Sequence, residues 1–462
     1  MAEKMNNSKT KNPSMQRAIK ILCDEFRKYN HIDPANYDLY NVKRGLRNSD
    51  GTGVLAGLTQ ICNVHGYVMD EGEKSPIDGV LTYRGINVQD LVDGCLRDDR
   101  FGFEEAIWLL LFGKLPTKSQ LEEFMGILAS QCELPPYFLE DMLLKAPSKD
   151  LMNMLGRSVL ALYSYDQSPD ATGYEELLRQ SISLIARMPI IMVAAYQVKR
   201  RAFEKKSMYL HDPRSDYSIA ENILRLLRND KKFTHEEAKL LDMCLILHAE
   251  HGGGNNSAFA ARVVTSSGSD TYSSIAAAIG SLKGPRHGGA NYKVMEMLDY
   301  IKRGVQNPEN DQEVKDFLAR MIKGEEGDRS GLVYGMGHAV YTKSDPRAVI
   351  LKKHALKLAA GTDIERDFMI LDAVERLTPG VFAETTGSTK AICANVDMYS
   401  GLVYKMLRIP HDMNTALFAT ARTPGWCAHR IEEMLFGGRI IRPAYKSLSY
   451  DQPYIPMSER QS

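Results

Sequence analysis

Residues 284–291 read GPRHGGAN, a single histidine, His287, among Gly284, Pro285, Gly288, Gly289 and Ala290. Neighbours with almost no side chain let a substrate or another backbone come close. Histidine is also the side chain most readily moved between charge states near neutral pH. The same stretch reads equally as a turn with a solvent-facing histidine. HAEHGGGNNS (248–257) ends a helical pattern on His251 and continues with Gly252, Gly253 and Gly254. Such glycines stop a helix and present backbone N–H groups to an anion. YGMGHAVYTKSDPR (334–347) sets His338 behind Gly335 and Gly337, with Arg347 nine residues on. NVDMYSG (395–401) holds Asp397 among apolar or aromatic neighbours just before a helical pattern. Taken singly, these three have plain structural readings: a C-cap, a glycine turn and an N-cap.

His248 and His251 are three apart and would share a helix face, as metal ligands or with His248 as a packing residue. A metal would need further ligands, and Glu250 is expected to point elsewhere on the helix, so packing is the preferred reading. The common nucleotide and hydrolase signatures are missing. There is no G-x-x-x-x-G-K-[ST] and no G-x-S-x-G, and GMGHAV lacks the last glycine of G-x-G-x-x-G.

The elements that would carry these residues are mostly helices. Thr117 with Gln120 and Thr234 with Glu237 have capping-box spacing, the second ahead of AKLLDMCLILH. Further helical patterns span 15–29, 174–198, 216–228, 272–283, 290–303, 310–322, 346–360, 364–376, 398–407 and 413–436. HGYVMD and GVLTYRG, separated by EGEKSPID, are expected to form a hairpin at the edge of a helical body. No alternation of strands and helices supports a parallel sheet. The chain is read as mainly α.

Composition narrows the partners. The 462 residues are 44% hydrophobic and 25% charged, with 58 basic and 58 acidic side chains. That balance favours neither nucleic acid nor an anionic membrane. Seven cysteines are dispersed without a C-x-x-C pair, the pattern of reduced thiols in a cytoplasmic protein. The polar start MAEKMNNSKTKNPS has no apolar core of the secretory kind. The most apolar stretch, around MPIIMVAAYQV, is read as too short to cross a membrane.

Taken together and in order, LHAEHGGGNNS, GPRHGGAN, GMGHAVYTKSDPR and ANVDMYSG resemble citrate synthases. So do YRGINVQDLVDG, FEEAIWLLLFGKLPT and ARTPGWCAHRIEEM, and the resemblance spans roughly residues 45–450. It departs in AEHGGG, where many members read Asp-His-Glu, and the leader of about 45 residues carries no family motif. The resemblance implies condensation of acetyl-CoA with oxaloacetate, then hydrolysis of citryl-CoA to citrate and CoA, a step of the tricarboxylic acid cycle. Coenzyme A enters as part of the substrate, so no metal or redox cofactor is implied.

By the same resemblance, Asp397 is the base that takes a proton from the thioester methyl. An aspartate in an apolar, closed pocket is more basic than in water, as that task requires. His287 would donate to the enolate oxygen, with its small neighbours leaving room for the thioester. His338 would polarise the ketone of oxaloacetate. Arg347, Arg422 and Arg442 match the family's carboxylate-binding arginines, with His251 beside them, and planar guanidinium forks suit carboxylates. The family supplies the last arginine from the neighbouring subunit, which implies a homodimer. LVYGMGHAV is the segment expected near the adenine of CoA.

The implied architecture is a leader over 1–45, partly helical, a large helical domain from 46–288 and 409–462, a small helical domain over 289–408, and a minor hairpin. Closure of the small domain would exclude water during condensation. Two rivals remain. A 2-methylcitrate synthase using propionyl-CoA would share these motifs and differ by one methylene in a pocket. A non-catalytic dicarboxylate or CoA sensor could keep the arginines but would not need Asp397, His287 and His338 together.

Overall fold

The computed structural model describes residues 13–48, 51–70, 73–388 and 390–460. The described residues are mainly helical with little strand, the mainly α class expected. Contacts divide the chain into two units, Met1–Leu55 with Ile440–Ser462, and Ala56–Arg439. The first holds the helix Pro13–Tyr29 and the short helix Ala35–Leu39. Its 440–460 stretch is without regular structure apart from the single turn Met457–Glu459.

In the second unit the helix Asn414–Glu432 lies at the centre of the core. It packs against Tyr174–Phe203, Phe103–Phe112, His235–His248, Asn256–Ser266 and Thr271–Leu282. Its residues Leu417, Ala421, Trp426 and Cys427 are buried with Arg422, so a charged group is carried into an apolar interior. The helices Ala290–Gly304, Asp311–Ile322, Pro346–Ala359, Glu365–Thr386 and Asp397–Met406 pack on one another.

Both expected capping boxes form. Thr117 accepts from the Gln120 amide while Gln120 accepts from the Thr117 amide, and Thr234 and Glu237 do the same. Ser218 and Glu221 make a third box. The hairpin is longer than expected. Strands β1 (Cys62–Asp70) and β2 (Glu73–Tyr83) pair antiparallel, and β3 (Ile86–Asn87) adds two residues. Most of EGEKSPID therefore belongs to a strand rather than a loop. Pro76 is tolerated because it lies beside the register shift between His65 and Tyr67, where the ladder is already irregular.

Helices also run on through prolines. Tyr174–Phe203 contains Pro189, and Glu365–Thr386 continues past Pro379, where the sequence pattern had stopped at 376. Each proline removes one backbone hydrogen bond, and packing on both flanks keeps the helix going. The 30-residue helix Tyr174–Phe203 corrects the reading of its apolar stretch as too short for a membrane. It holds an 18-residue window of mean hydropathy 1.5, of which 78% is buried inside the protein, as in a core helix. Val88–Arg97, Leu151–Leu162 and Asn256–Ser266 are helices that periodicity did not mark out.

Candidate active site

Two segments far apart in sequence are joined to carry His338 and Asp397. Met336 and Ala394 form an antiparallel bridge, the Gly337 amide donates to the Cys393 carbonyl at 2.7 Å, and the Asn395 amide donates to Gly335 at 2.8 Å. The Asn395 side chain completes the splice. It donates to the Gly337 carbonyl at 2.9 Å and accepts from the Asp397 amide at 3.0 Å. Gly335 sits at φ 81, and a side chain there would come within 3.1 Å of the Met398 Cα. Only glycine suits both conditions.

The hairpin props the same loop from another side. Tyr341 donates to the Val80 carbonyl, and Ser344 donates to Asp78 while accepting from the Gly79 amide. Tyr341 in turn stacks on His338 at 4.6 Å between ring centres. The Val340 and Tyr341 amides both donate to His338 Nδ1 at 3.0 Å. Backbone amides only donate, so Nδ1 is the bare nitrogen and Nε2 carries the proton. His338 is thus fixed as a neutral hydrogen-bond donor through Nε2.

Arg347 opens the helix Pro346–Ala359. Asp345 is the N-cap and accepts from the Arg347 amide, then takes the Arg347 fork at 3.0 and 2.7 Å. Both side chains are buried, and the pair holds the Asp345 carboxyl below its usual range and the Arg347 guanidinium above its own. Arg422 is fully buried and donates from Nε to the His248 carbonyl. Its Nη1 and Nη2 have no hydrogen-bond partner among the described residues, and neither has Nε2 of buried His251. Buried guanidinium hydrogens without acceptors are costly. They are the groups a carboxylate would satisfy.

Electrostatics tie these residues into one site. Burial lifts the Asp397 carboxyl from 3.8 to about 6, against the lowering pull of Arg347 and Arg422. Its place at the start of the helix Asp397–Met406 would favour the charged form, and desolvation outweighs it. Burial and the charge of Arg422 push His287 down to about 4. His251 is pushed well down by burial, then by Arg347, His338, Arg422 and His287. The site therefore combines two cations, neutral His251 and His287, and one carboxylate close enough to neutrality to exchange a proton.

Six of the seven expected residues, His251, His287, His338, Arg347, Asp397 and Arg422, thus meet in the Ala56–Arg439 unit. Arg442 belongs to the other unit, with an exposed side chain. His248 packs. Its Nδ1 bonds the Cys244 carbonyl at 2.7 Å, and its ring meets Phe418 edge-on at 4.5 Å.

Several supporting residues escaped sequence reasoning. Glu250 lies beyond the helix end at His248 and pairs with His429 at 2.8 Å, both fully buried. His429 and Arg422 together hold the Glu250 carboxyl below its usual range despite burial, so it is a counter-ion to Arg422. Gly425 makes room for it, since a side chain there would lie 2.2 Å from Glu250 Oε2. Ser257 meets His287 Nε2 at 3.1 Å and accepts from the Trp426 indole at 3.1 Å. Asp345 was legible in SDPR as an N-cap ahead of a proline. Glu250 and His429 are 179 residues apart and gave no local signal.

A sequence model of the family described as citrate synthase, C-terminal domain, matches residues 49–444. The chain belongs to the citrate synthase family. It is accordingly an acyltransferase. A citrate synthase of Synechocystis sp. is 34% identical over 410 residues, covering 88% of this chain and 92% of that protein. A 2-methylcitrate synthase of Corynebacterium glutamicum is 33% identical over 426 residues, covering 91% and 98%. Among solved structures, the Thermoplasma acidophilum citrate synthase in ternary complex with carboxymethyl coenzyme A and oxaloacetate aligns with a TM-score of 0.74. It has 27% identity and covers 91% of this chain and 99% of that one.

Proposed function

We propose that the protein condenses acetyl-CoA with oxaloacetate and hydrolyses the resulting citryl-CoA to citrate and CoA. The observation that carries this reading is Asp397, a carboxylate of raised basicity coupled to two buried guanidiniums, one of which has two unpartnered nitrogens. Arg347 and Arg422 hold the carboxylates of oxaloacetate, with His251 beside them. His338 donates from Nε2 to the ketone oxygen and makes its carbon more electrophilic. Asp397 takes a proton from the acetyl methyl. His287 donates to the enolate oxygen that forms, and the enolate carbon attacks the polarised ketone. A neutral histidine suits that donation: with its imidazolium pushed down to about 4, the ring is uncharged at pH 7 and keeps one N–H to offer the enolate oxygen. Water then releases CoA. No resident cofactor takes part.

Propionyl-CoA is the second reading, supported by the similarity to the Corynebacterium glutamicum 2-methylcitrate synthase. One methylene changes discrimination by only about 1–3 kcal/mol. CoA-thiol release with oxaloacetate and each thioester in turn tests both. A kcat/KM favouring acetyl-CoA supports the first, a ratio favouring propionyl-CoA the second, and no thiol release with either refutes both. The mutually packed helices of 289–408 are the part that would close over the substrates, in a cytoplasmic enzyme.

The working form is proposed to be a homodimer in which Arg442 completes the partner's site. Inactive Asp397→Asn and Arg442→Leu homodimers, unfolded and refolded together, would then give mixed dimers with one intact site each. Random mixing makes about half the dimers mixed, so about a quarter of wild-type activity returns. A mixture that stays inactive while wild type refolds places Arg442 in its own chain's site.

A further inference from the structure

His287 can donate to an enolate only if the proton is on the ring nitrogen that faces the substrate. Nε2 is occupied by Ser257 at 3.1 Å, which leaves Nδ1 for the thioester. Nδ1 is a donor in the neutral ring only when Nε2 is bare. Ser257 is fully buried, and its Oγ has three neighbours: His287 Nε2, the Trp426 indole nitrogen at 3.1 Å and Asn255 Oδ1 at 2.9 Å. A hydroxyl has one hydrogen and two lone pairs, and the indole N–H can only donate. Trp426, itself fully buried, therefore fills one lone pair. One hydrogen and one lone pair remain for His287 and Asn255, so the two are locked in opposite senses.

We propose that Asn255, acting through Ser257, is the positioning residue that sets the tautomer of His287. With the Asn255 oxygen toward Ser257, as in this structure, the hydroxyl donates to Asn255 and accepts from His287 Nε2–H, leaving Nδ1 bare. A half-turn of the amide places its NH2 against Ser257. The hydroxyl then donates to Nε2, and the ring carries its proton on Nδ1. The proton is lost from Nε2 to water and regained at Nδ1, so the charge of the ring is unchanged. Only the second arrangement is competent for enolisation, and Trp426 prevents Ser257 from serving both neighbours as acceptor. The inference rests on the reading of His287 as the enolate donor.

Ring nitrogen shifts of ¹⁵N-histidine-labelled protein with bound oxaloacetate report the tautomer directly. Wild type is expected to show bare Nε2 and protonated Nδ1 at His287. Asn255→Asp offers Ser257 only acceptors, so it should move the proton to Nε2 and lower kcat about 10²–10⁴-fold, with oxaloacetate KM unchanged. Asn255→Ala frees the hydroxyl to serve His287 and should be the milder change. That order is the reverse of what shape alone predicts, since aspartate matches asparagine in size. Bare Nε2 in Asn255→Asp, a ring protonated on both nitrogens, or a milder loss in Asn255→Asp than in Asn255→Ala would overturn the proposal. Trp426→Phe is the second arm, used if Asn255→Asp does not fold. It frees a lone pair on Ser257 and should give a mixture of tautomers, and a single unchanged tautomer counts against the coupling. His287→Ala separates the two claims. Near wild-type turnover in that variant removes the enolate role, while the tautomer shifts still judge the Asn255 coupling on their own.

Discussion

Asp397→Asn keeps the shape of the side chain and removes its charge, and activity and stability should move in opposite directions. Burial lifts the carboxyl from 3.8 to about 6. Roughly two pKa units at about 1.36 kcal/mol each give a ceiling of about 3 kcal/mol. Asp397 keeps some contact with solvent, so about 1–2 kcal/mol is the expected gain after screening. Below about pH 4 the carboxyl is protonated in both the folded and unfolded chain, and its pKa shift costs nothing. Between about pH 4 and 6 the unfolded chain gives up the proton first, so stability falls as pH rises, and above about 6 the full cost is present. The asparagine variant has no such slope. Urea unfolding at pH 5, 6 and 7.5 should show its advantage growing with pH and then levelling. Turnover, followed by thiol release, should fall about 10²–10⁴-fold, the usual worth of a general base. Wild-type kcat/KM should itself drop tenfold per unit below about pH 6, where the base is protonated. A variant less stable than wild type at pH 7.5, or one that turns over normally, refutes the account of Asp397 as a desolvated base.

Arg422→Leu should raise the KM for oxaloacetate about 10–150-fold through loss of a charge-assisted hydrogen bond, and an unchanged KM would separate Arg422 from the carboxylate. Asp345→Asn leaves buried Arg347 without its counter-ion. It should cost about 3–5 kcal/mol in urea unfolding and weaken oxaloacetate binding, and unaltered values for both would show that Arg347 orients itself. Asp242 accepts the amides of Gly102 and Phe103, yet burial and then the neighbouring Glu104 carboxyl push it up. Since a proton is held more tightly by this pair in the folded chain, it should make stability fall as pH rises above about 4, the usual carboxylate range. Asp242→Asn should flatten the slope, and unfolding at pH 6 and 9 that is indistinguishable from wild type rejects it.

The chemistry was more legible than the framework because its signals are local. His287 and His338 stand among glycines, and Arg347 and Asp397 open helices, where capping rules make a few residues informative. Capping likewise located the helices at Lys118 and His235 before any tertiary contact was known. Periodicity was less reliable. It ended a helix at 376, short of Pro379, although it ran on through Pro189 and Pro424, and packing along Glu365–Thr386 carries that helix past the proline. It missed Asn256–Ser266, whose start is hidden in the glycine and asparagine run of GGGNNS. The same run hides Asn255 and Ser257, which read there as loop residues.

What sequence could not supply is the layer that gives the local groups their states. Glu250 meets His429 across 179 residues, and Ser257 meets Trp426 across 169. Neither pairing has a spacing rule, because it exists only once Asn414–Glu432 is seated in the core. Yet this layer decides the electrostatics: Glu250 offsets part of the cost of burying Arg422, and Ser257 fixes the ring of His287. Gly425 shows how the two levels meet. In the sequence it is an unremarked residue after Pro424, whereas in the fold a single methyl there would collide with Glu250 and with the Ala249 carbonyl. The ARTPGW stretch is therefore legible as a motif from the chain alone, but its physical content is the seat it leaves for the counter-ion of Arg422.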